Sequence, residues 1–204
     1  QQANIDNVAH NLANVNTTGF KKARVEFEDL VYDQTRVPGS PTSTTAEAPI
    51  GLETGLGVRA VATARDFSRG NLKSTSSPLD LAIEGDGFFQ IQMPTGDIGY
   101  TRAGSFHLTG EGTLVTSDGY PVEPQIQIPS NATSISISKD GVVSVALPGQ
   151  AAAQQVGTLE LASFQNPAGL RANGGNIFLQ SSASGDPQVG AAGEDGRGTL
   201  QQGF

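Results

Sequence analysis

The chain has 204 residues, no cysteine, two histidines and a net charge of −8 from 12 basic and 20 acidic side chains. The lack of cysteine excludes disulfide scaffolds, thiolate metal sites and thiol catalysis, and two histidines are too few for a multi-histidine metal site within one chain. The acidic charge makes nucleic acid and anionic membranes poor partners. With 26 glycines and 11 prolines the chain is rich in turns, so we expect a mainly β protein.

The first predicted element is a helix over residues 3–16. Apolar residues recur there at spacings of three, four and three, which predicts a narrow seam formed by Ile5, Val8, Leu12 and Val15. Asparagines repeat the same spacing one position earlier, at Asn4, Asn7, Asn11 and Asn14. Because an asparagine amide competes for backbone hydrogen bonds, this stripe is costly unless something uses it. So short a helix is marginal alone, and the seam needs a partner: its own domain, a C-terminal segment of the subunit, or other copies.

The next part of the chain predicts less regular structure. Residues 20–32 mix charged and apolar side chains and are expected to be extended or helical, so residues 1–35 form the helix and the start of a core. Residues 38–49 contain three prolines and no large aliphatic side chain, which predicts an exposed loop. We therefore assign residues 36–74 to an extended connecting segment rich in Pro, Ser, Thr and Gly.

An antiparallel β domain is predicted from residue 75 to residue 190. Apolar and polar residues alternate in segments such as 79–85 and 134–138, and Asp-Gly pairs at residues 86–87, 118–119 and 140–141 predict tight turns between strands. Residues 191–204 are rich in glycine and are expected to be a return linker. The chain begins at Gln1 within a helical pattern and stops at Phe204 without a terminator, so we expect a trimmed piece of a longer subunit.

No group of residues predicts catalysis, cofactor binding or metal binding. Glu84 and Asp86 lie beside glycines, where acidic residues usually stabilise turns. Ser105 and His107 share one face of a predicted strand without a third partner. We therefore expect neither an active site nor a small-molecule substrate. No apolar run approaches the ~20 residues needed to cross a bilayer, and no signal peptide is visible.

Several ordered blocks resemble the bacterial flagellar rod and hook proteins. Residues 11–22, NLANVNTTGFKK, resemble the N-terminal signature of that family, and the motif residues are Asn16, Thr18, Gly19, Phe20 and Lys21. Residues 76–92 and 100–124 resemble the start of its β domain and the next block. Residues 196–204 resemble the return towards its C-terminal helix. The resemblance implies a β domain placed between N- and C-terminal helical segments that are largely absent from this chain.

This resemblance implies a structural, non-enzymatic subunit that stacks helically with copies of itself into a hollow rod and transmits motor torque. The implied partners are the proximal rod and hook proteins, the surrounding ring proteins and the export apparatus. The implied location is the basal body, where the distal rod crosses the periplasm and outer envelope. Export without a cleavable signal peptide would fit that location.

Residues 36–57 occupy the place of an extra stretch that distinguishes distal-rod members of the family. We hypothesise that they become ordered against neighbouring subunits and stiffen the rod, and the residues assigned to this role are Val37, Pro38, Pro41, Pro49, Ile50 and Gly51. Proximal rod and hook proteins are the alternatives within the family. Outside it, a cell-surface β adhesion module or a β-fold glycosidase remains open; the adhesion module would not need the asparagine-rich helix, and the glycosidase would need a cleft with paired carboxylates.

Overall fold

A computed structural model describes residues 2–39, 41, 49–150 and 152–204 of the chain. The chain forms two compact units. The first contains Gln1–Ala13 and Lys22–Asp66, and the second contains Asn14–Lys21 and Phe67–Phe204. The polypeptide therefore passes from one unit to the other at three places, after Ala13, Lys21 and Asp66.

The first unit consists of one helix and a long antiparallel ribbon. Its elements are helix α1 (Gln2–Ala13) and strands β1 (Ala23–Asp29), β2 (Tyr32–Arg36), β3 (Leu52–Gly55) and β4 (Val58–Arg65). Strand β1 pairs with β4, and β2 pairs with β3. The two ladders are continuous, because Leu30 donates to the Gly57 carbonyl at 2.8 Å and Leu56 donates to the Val31 carbonyl at 3.4 Å. We call strands β1–β4 the ribbon.

The ribbon has two chemically different faces and almost no interior. Successive side chains of a strand point to opposite faces, so Val25 and Phe27 share one face of β1 while Glu28 lies on the other. Glu28 pairs with Arg59 of β4 at 3.0 Å. Among the described residues of the first unit, only Ala23 is buried. Such a ribbon is marginally stable in water on its own.

The second unit contains the remaining fourteen strands and one short 3₁₀ helix at Pro167–Gly169. The strands are β5 (Leu81–Glu84), β6 (Phe88–Gln92), β7 (Ile98–Thr101), β8 (Phe106–Leu108), β9 (Leu114–Thr116), β10 (Val122–Glu123), β11 (Ser134–Ile137), β12 (Val142–Ala146), β13 (Gln154–Thr158), β14 (Glu160–Ser163), β15 (Arg171–Gly174), β16 (Ile177–Leu179), β17 (Gln188–Ala191) and β18 (Thr199–Gln202). All of their strand pairings are antiparallel.

One larger sheet organises this unit. Its strands follow the order β15-β16-β7-β6-β14-β17, with β10 also paired to β6. Smaller sheets pair β11, β12 and β13, β5 with β18, and β8 with β9. The mainly β, antiparallel fold predicted from the sequence is confirmed.

Strand β6 is buried on both faces and separates two apolar clusters. Consecutive side chains on a strand point in opposite directions, so Phe88 and Phe89 enter different clusters. Phe89 packs edge-to-face on Phe106, with ring centroids 5.0 Å apart. On the other side, Phe88 packs edge-to-face on Phe67 at 5.3 Å. These contacts give the second unit an interior of its own.

Several details differ from the sequence-based expectations. The Asp140–Gly141 turn does join paired strands, β11 and β12, as predicted. The Asp86–Gly87 turn does not form a hairpin, because β5 pairs with β18 from the end of the chain instead of with β6. Within residues 191–204, expected to be a linker, β18 places the buried Leu200 in the core.

The predicted connecting segment, residues 36–74, also contains regular structure, since β3 and β4 lie within it. Residue 40 and residues 42–48 of this segment lie outside the described residues. The predicted helix is confirmed as α1 and ends at Ala13. Within the described part of the chain, no helix has the length and apolar character needed to span a bilayer.

Arg102 fastens the loop between β5 and β6. Its Nε donates to the Gly87 carbonyl at 2.8 Å, and its Nη2 donates to the Gly85 carbonyl at 2.7 Å. The guanidinium lies over the Phe88 ring, 5.3 Å from the centroid. Burial lowers the pKa of Arg102, and the charge of Asp86 opposes this change. The rigid guanidinium fork thus satisfies two loop carbonyls at once.

We expect Arg102→Lys to lower the free energy of unfolding of the second unit by about 1–3 kcal/mol, because an ammonium group cannot reach both carbonyls in this geometry. Arg171→Lys, at an exposed position on β15, is the matched control and should change it by less than about 0.5 kcal/mol. Chemical denaturation followed by circular dichroism measures both values. Equal stability of the two variants would contradict the role given to Arg102.

Candidate assembly surface

Helix α1 exposes the apolar side chains that the sequence pattern singled out. Ile5, Val8 and Leu12 are 60%, 57% and 70% exposed, and Val15, which follows the helix, is 69% exposed. No residue of α1 is buried. Water contact at three apolar residues on one helix is unfavourable, so this seam is a candidate contact surface.

In most helices an apolar stripe faces the rest of the domain, whereas in α1 the side that carries the asparagine stripe does so. Asn7 and Asn11 are the half-buried residues of α1, and Asn11 hydrogen-bonds to the backbone of Ala23 on β1. Asn14 lies after the helix, where its backbone carbonyl accepts from the Thr17 N–H at 3.0 Å and its side chain accepts from the Thr17 hydroxyl at 3.3 Å. The polar side of α1 therefore faces its own unit, and the apolar side faces water.

The motif residues 16–21 run along the second unit. Gly19 has a φ of +71°, and a Cβ built on it would lie 2.7 Å from the backbone nitrogen of Ala103. Asn176 donates through Nδ2 to the Thr18 carbonyl at 2.9 Å. Lys21 is buried and donates through Nζ to the Ser68 carbonyl at 2.8 Å. This segment is thus held at several points.

The remaining motif residues have simpler surroundings. Asn16 is exposed, and the half-buried Phe20 donates its backbone N–H to the Thr17 carbonyl at 3.2 Å. The partners Ala103 and Asn176 were not identified from the sequence, because they lie far along the chain from the motif. In the sequence, the Gly174-Gly175 pair before Asn176 indicates a backbone conformation that favours glycine, and both glycines do have positive φ.

The proposed stiffening segment lies at the end of the ribbon. Val37 and Ile50 are exposed, and the Arg36 Nη2 donates to the Ile50 carbonyl at 3.3 Å. A Cβ at Gly51 would approach the Arg36 carbonyl oxygen to 2.7 Å, so the two sides of the ribbon approach closely here. The three assigned prolines are Pro38, Pro41 and Pro49, which border or interrupt the residues that are not described.

The ribbon exposes further apolar residues, for which the sequence pattern predicts no special role. They lie on both pairs of strands and their connections: Phe27, Val31, Tyr32, Leu52, Leu56, Val58 and Val61. The hydrogen bond between Tyr32 and Asp29, together with the negative charge of Asp29, raises the pKa of Tyr32. We use the term assembly surface for the seam residues Ile5, Val8 and Leu12 together with the exposed apolar residues of the ribbon.

The acidic and histidine side chains considered in the sequence make structural contacts in the second unit. The Glu84 carboxylate accepts from Arg69 Nη1 and from Gln201 Nε2. His107 Nε2 lies 3.4 Å from the Ser117 hydroxyl oxygen. Asp86 lies in the loop held by Arg102. None of these contacts resembles a pair of catalytic carboxylates facing a cleft.

Comparison with known proteins places these features in one family. Residues 82–145 match the family described as "Flagellar hook protein FlgE/F/G D1 domain". The flagellar basal-body rod protein FlgG of Caulobacter vibrioides is 47% identical over 203 residues, which is 99% of this chain and 78% of that protein. The corresponding protein of Buchnera aphidicola from Acyrthosiphon pisum is also 47% identical, over 100% of this chain and 78% of its own length.

The chain belongs to the flagellar rod and hook family. Within this family, the hook protein FlgE of Helicobacter mustelae is 40% identical over only 60% of the chain and 27% of its own length. The similarity to FlgG rod proteins thus extends through the helix and the ribbon, which the matched D1 domain does not include. The protein is a structural subunit of the distal rod of the flagellar basal body.

We expect Gly19→Ala to destabilise the second unit more than an alanine at a glycine with equal backbone strain and free space. Gly96 has a φ of +89° and no atom within 4 Å of the position that a Cβ would take, so Gly96→Ala should cost only about 1–2 kcal/mol of backbone strain. Gly19→Ala should cost about 1–3 kcal/mol more because of the contact with Ala103. Thermal unfolding of both variants measures the difference, and equal losses would show that the close approach is unimportant.

Proposed function

We propose that copies of this subunit stack helically into a hollow rod and that the assembly surface forms the contacts between them. The observation that carries the proposal is the orientation of α1, which presents its apolar seam to water and Asn11 to β1. A contact between two different surfaces of identical subunits does not close into a ring unless the rotation allows it, and otherwise builds a helical filament.

The energetics of the first unit support this role. With Ala23 as its one buried residue among those described, the unit gains little from hydrophobic burial within the subunit. Covering Leu12 alone in an interface contributes about 1.5–3 kcal/mol. Because every copy in a filament repeats the same contacts, the exposed residues would be buried on assembly and the first unit would gain the interior that it lacks.

In this proposal the subunit transmits motor torque to the hook and has no catalytic role. Its further partners are the proximal rod and hook proteins at the two ends, the ring proteins that surround the rod, and the export apparatus. The rod would cross the periplasm and the outer envelope, and the subunit would be exported without a cleavable signal peptide. The acidic surface and the structural contacts of Glu84 fit a protein that recognises other proteins and not a substrate.

We further propose that residues 36–57 stiffen the rod by contacting neighbouring copies. Exposed Val37 and Ile50 flank a polar, proline-containing stretch that has little apolar surface to bury within the subunit. A segment of this composition is flexible when it is free and becomes rigid only when it is held on both sides. The assigned residues Pro38, Pro41, Pro49 and Gly51 limit the conformations that must be fixed on docking.

We expect the substitution Leu12→Gln in the chromosomal gene to abolish rod assembly while the second unit stays folded. The change replaces an apolar contact by an amide that would be buried at the interface. Ala13→Gln, on the same helix turn but outside the seam, is the matched control and should assemble. Electron microscopy of basal bodies measures assembly, and thermal unfolding of the purified chain reports folding. Normal rods with Leu12→Gln would refute the seam as an interface.

We expect deletion of residues 36–57, which also removes β3 with Leu52 and Leu56, to give a rod that still assembles through the α1 seam but bends, as the hook does. A second variant replaces only residues 37–50 by a Gly/Ser sequence of equal length, which keeps the connection and β3 and removes Val37 and Ile50 as contacts. Electron microscopy of isolated basal bodies measures the curvature of the rod in both. Straight, rigid rods in both variants would contradict a stiffening role, and a straight rod in the replacement alone would show that length suffices.

A further inference from the structure

The contact between α1 and β1 is made by a side-chain amide acting as a peptide group. Asn11 donates through Nδ2 to the Ala23 carbonyl at 2.8 Å, and its Oδ1 accepts from the Ala23 N–H at 3.0 Å. A neighbouring β-strand offers the same donor and acceptor pair. The helix thus occupies, at one residue, the place that another strand would take on the free edge of β1.

The free edge of β1 needs such a partner at this residue. Lys22 directs its carbonyl towards the other side of the ribbon, where it accepts from the Asp66 N–H at 3.0 Å. Since backbone groups of successive residues alternate between the two edges of a strand, Ala23 directs both of its groups away from β4. Ala23 is 8% exposed, so little water reaches its N–H and carbonyl, and Asn11 supplies their partners.

Asn7 holds the Asn11 amide in the required orientation. The Asn11 Nδ2 also donates to Asn7 Oδ1 at 3.0 Å, one turn earlier on the helix. An amide nitrogen carries two hydrogens, and the two acceptors, Asn7 Oδ1 and the Ala23 carbonyl, use both. A rotated amide would place its nitrogen against the Ala23 N–H, so this network allows a single orientation. The helix is therefore fixed in rotation as well as in position.

We propose that Asn11 is a positioning residue for assembly, which fixes the rotation of α1 on the ribbon so that Ile5, Val8 and Leu12 are presented to a neighbouring copy. This inference rests on the proposed role of the seam. An apolar residue at position 11 could hold the helix by burial, but apolar contacts tolerate rotation and would compete with the seam for the same surface. With Asn11, the directional hydrogen bonds of an amide hold the helix, and the apolar residues of the seam remain available to contact the partner.

Asn11→Ala tests this proposal, because the proposal and helix propensity predict opposite effects of the substitution on α1. Alanine is the better helix former, so on propensity alone Asn11→Ala and Asn4→Ala should both strengthen α1. Asn4 is on the same stripe and is exposed, so it is the matched control. Asn11→Asp keeps the shape and the acceptor but loses the donor, so it separates lost hydrogen bonds from lost packing.

Two measurements on the purified chain report the position of the helix. The chain has no cysteine, so the substitutions Ala9→Cys and Ala62→Cys at two exposed positions provide the only sites for spin labels. Pulsed electron paramagnetic resonance then gives the distribution of distances between the two labels. Hydrogen exchange of the Ala23 amide reports the bond itself, with the Arg24 amide, directed at β4, as the internal reference. We expect a narrow distribution in the parent chain and with Asn4→Ala, and a broad one with Asn11→Ala and Asn11→Asp.

We also expect Asn11→Ala to raise the exchange rate of the Ala23 amide by about tenfold, as the loss of its hydrogen bond implies, and to reduce rod assembly in cells. An unchanged distance distribution and exchange rate, or equal broadening with Asn4→Ala, would overturn the inference. Broadening with normal assembly would overturn it too. Normal assembly with Leu12→Gln would instead count against the seam, while the solution measurements on Asn11 would still decide its role in holding the helix.

Discussion

One helix and a two-stranded ribbon cannot enclose a hydrophobic interior, and this constraint governs the first unit. Its one buried residue among those described is Ala23, the residue whose backbone is paired with Asn11. Hydrogen bonds therefore decide how α1 is held, while its apolar side chains stay exposed. The exposed seam and the exposed apolar residues of the ribbon follow from the same constraint, since there is no interior in which they could be placed.

The second unit, in contrast to the first, encloses a hydrophobic interior. Strand β6 of its larger sheet is covered on both faces, with Phe88 and Phe89 entering separate clusters. Arg102 and Gly19 belong to this unit, where a guanidinium fork and a close backbone approach fix loops that burial alone would leave undetermined. It can be stable without partners, so loss of assembly in a seam variant need not involve loss of its fold.

The sequence predicts what is local and misses what is distant. The spacing of Ile5, Val8 and Leu12 is enough to predict α1, and the Asp140–Gly141 pair is enough to predict a hairpin, because both depend on neighbouring residues. The pairing of β5 with β18 joins residues more than a hundred positions apart, and no turn signal reports it. For that reason the sequence predicts a linker at Leu200, although this residue is buried in the core.

The candidate surface shows the same limit. The periodicity predicts that the asparagine stripe must have a use, but it does not reveal that Ala23 is the partner of Asn11, because any strand edge would offer the same two groups. The exposed ribbon residues such as Phe27 and Val61 alternate as ordinary strand residues do, and only the absence of a covering layer distinguishes them. Resemblance to the rod and hook family supplied the assembly role that the residues alone left open.

The three passages of the polypeptide between the two units have a mechanical consequence. A single linker between two domains bears any pulling force alone and allows the domains to move relative to one another. Here the connections after Ala13, Lys21 and Asp66 act in parallel, so a load passing from one unit to the other is divided among three peptide strands. Three tethers also resist twisting, which one tether cannot do.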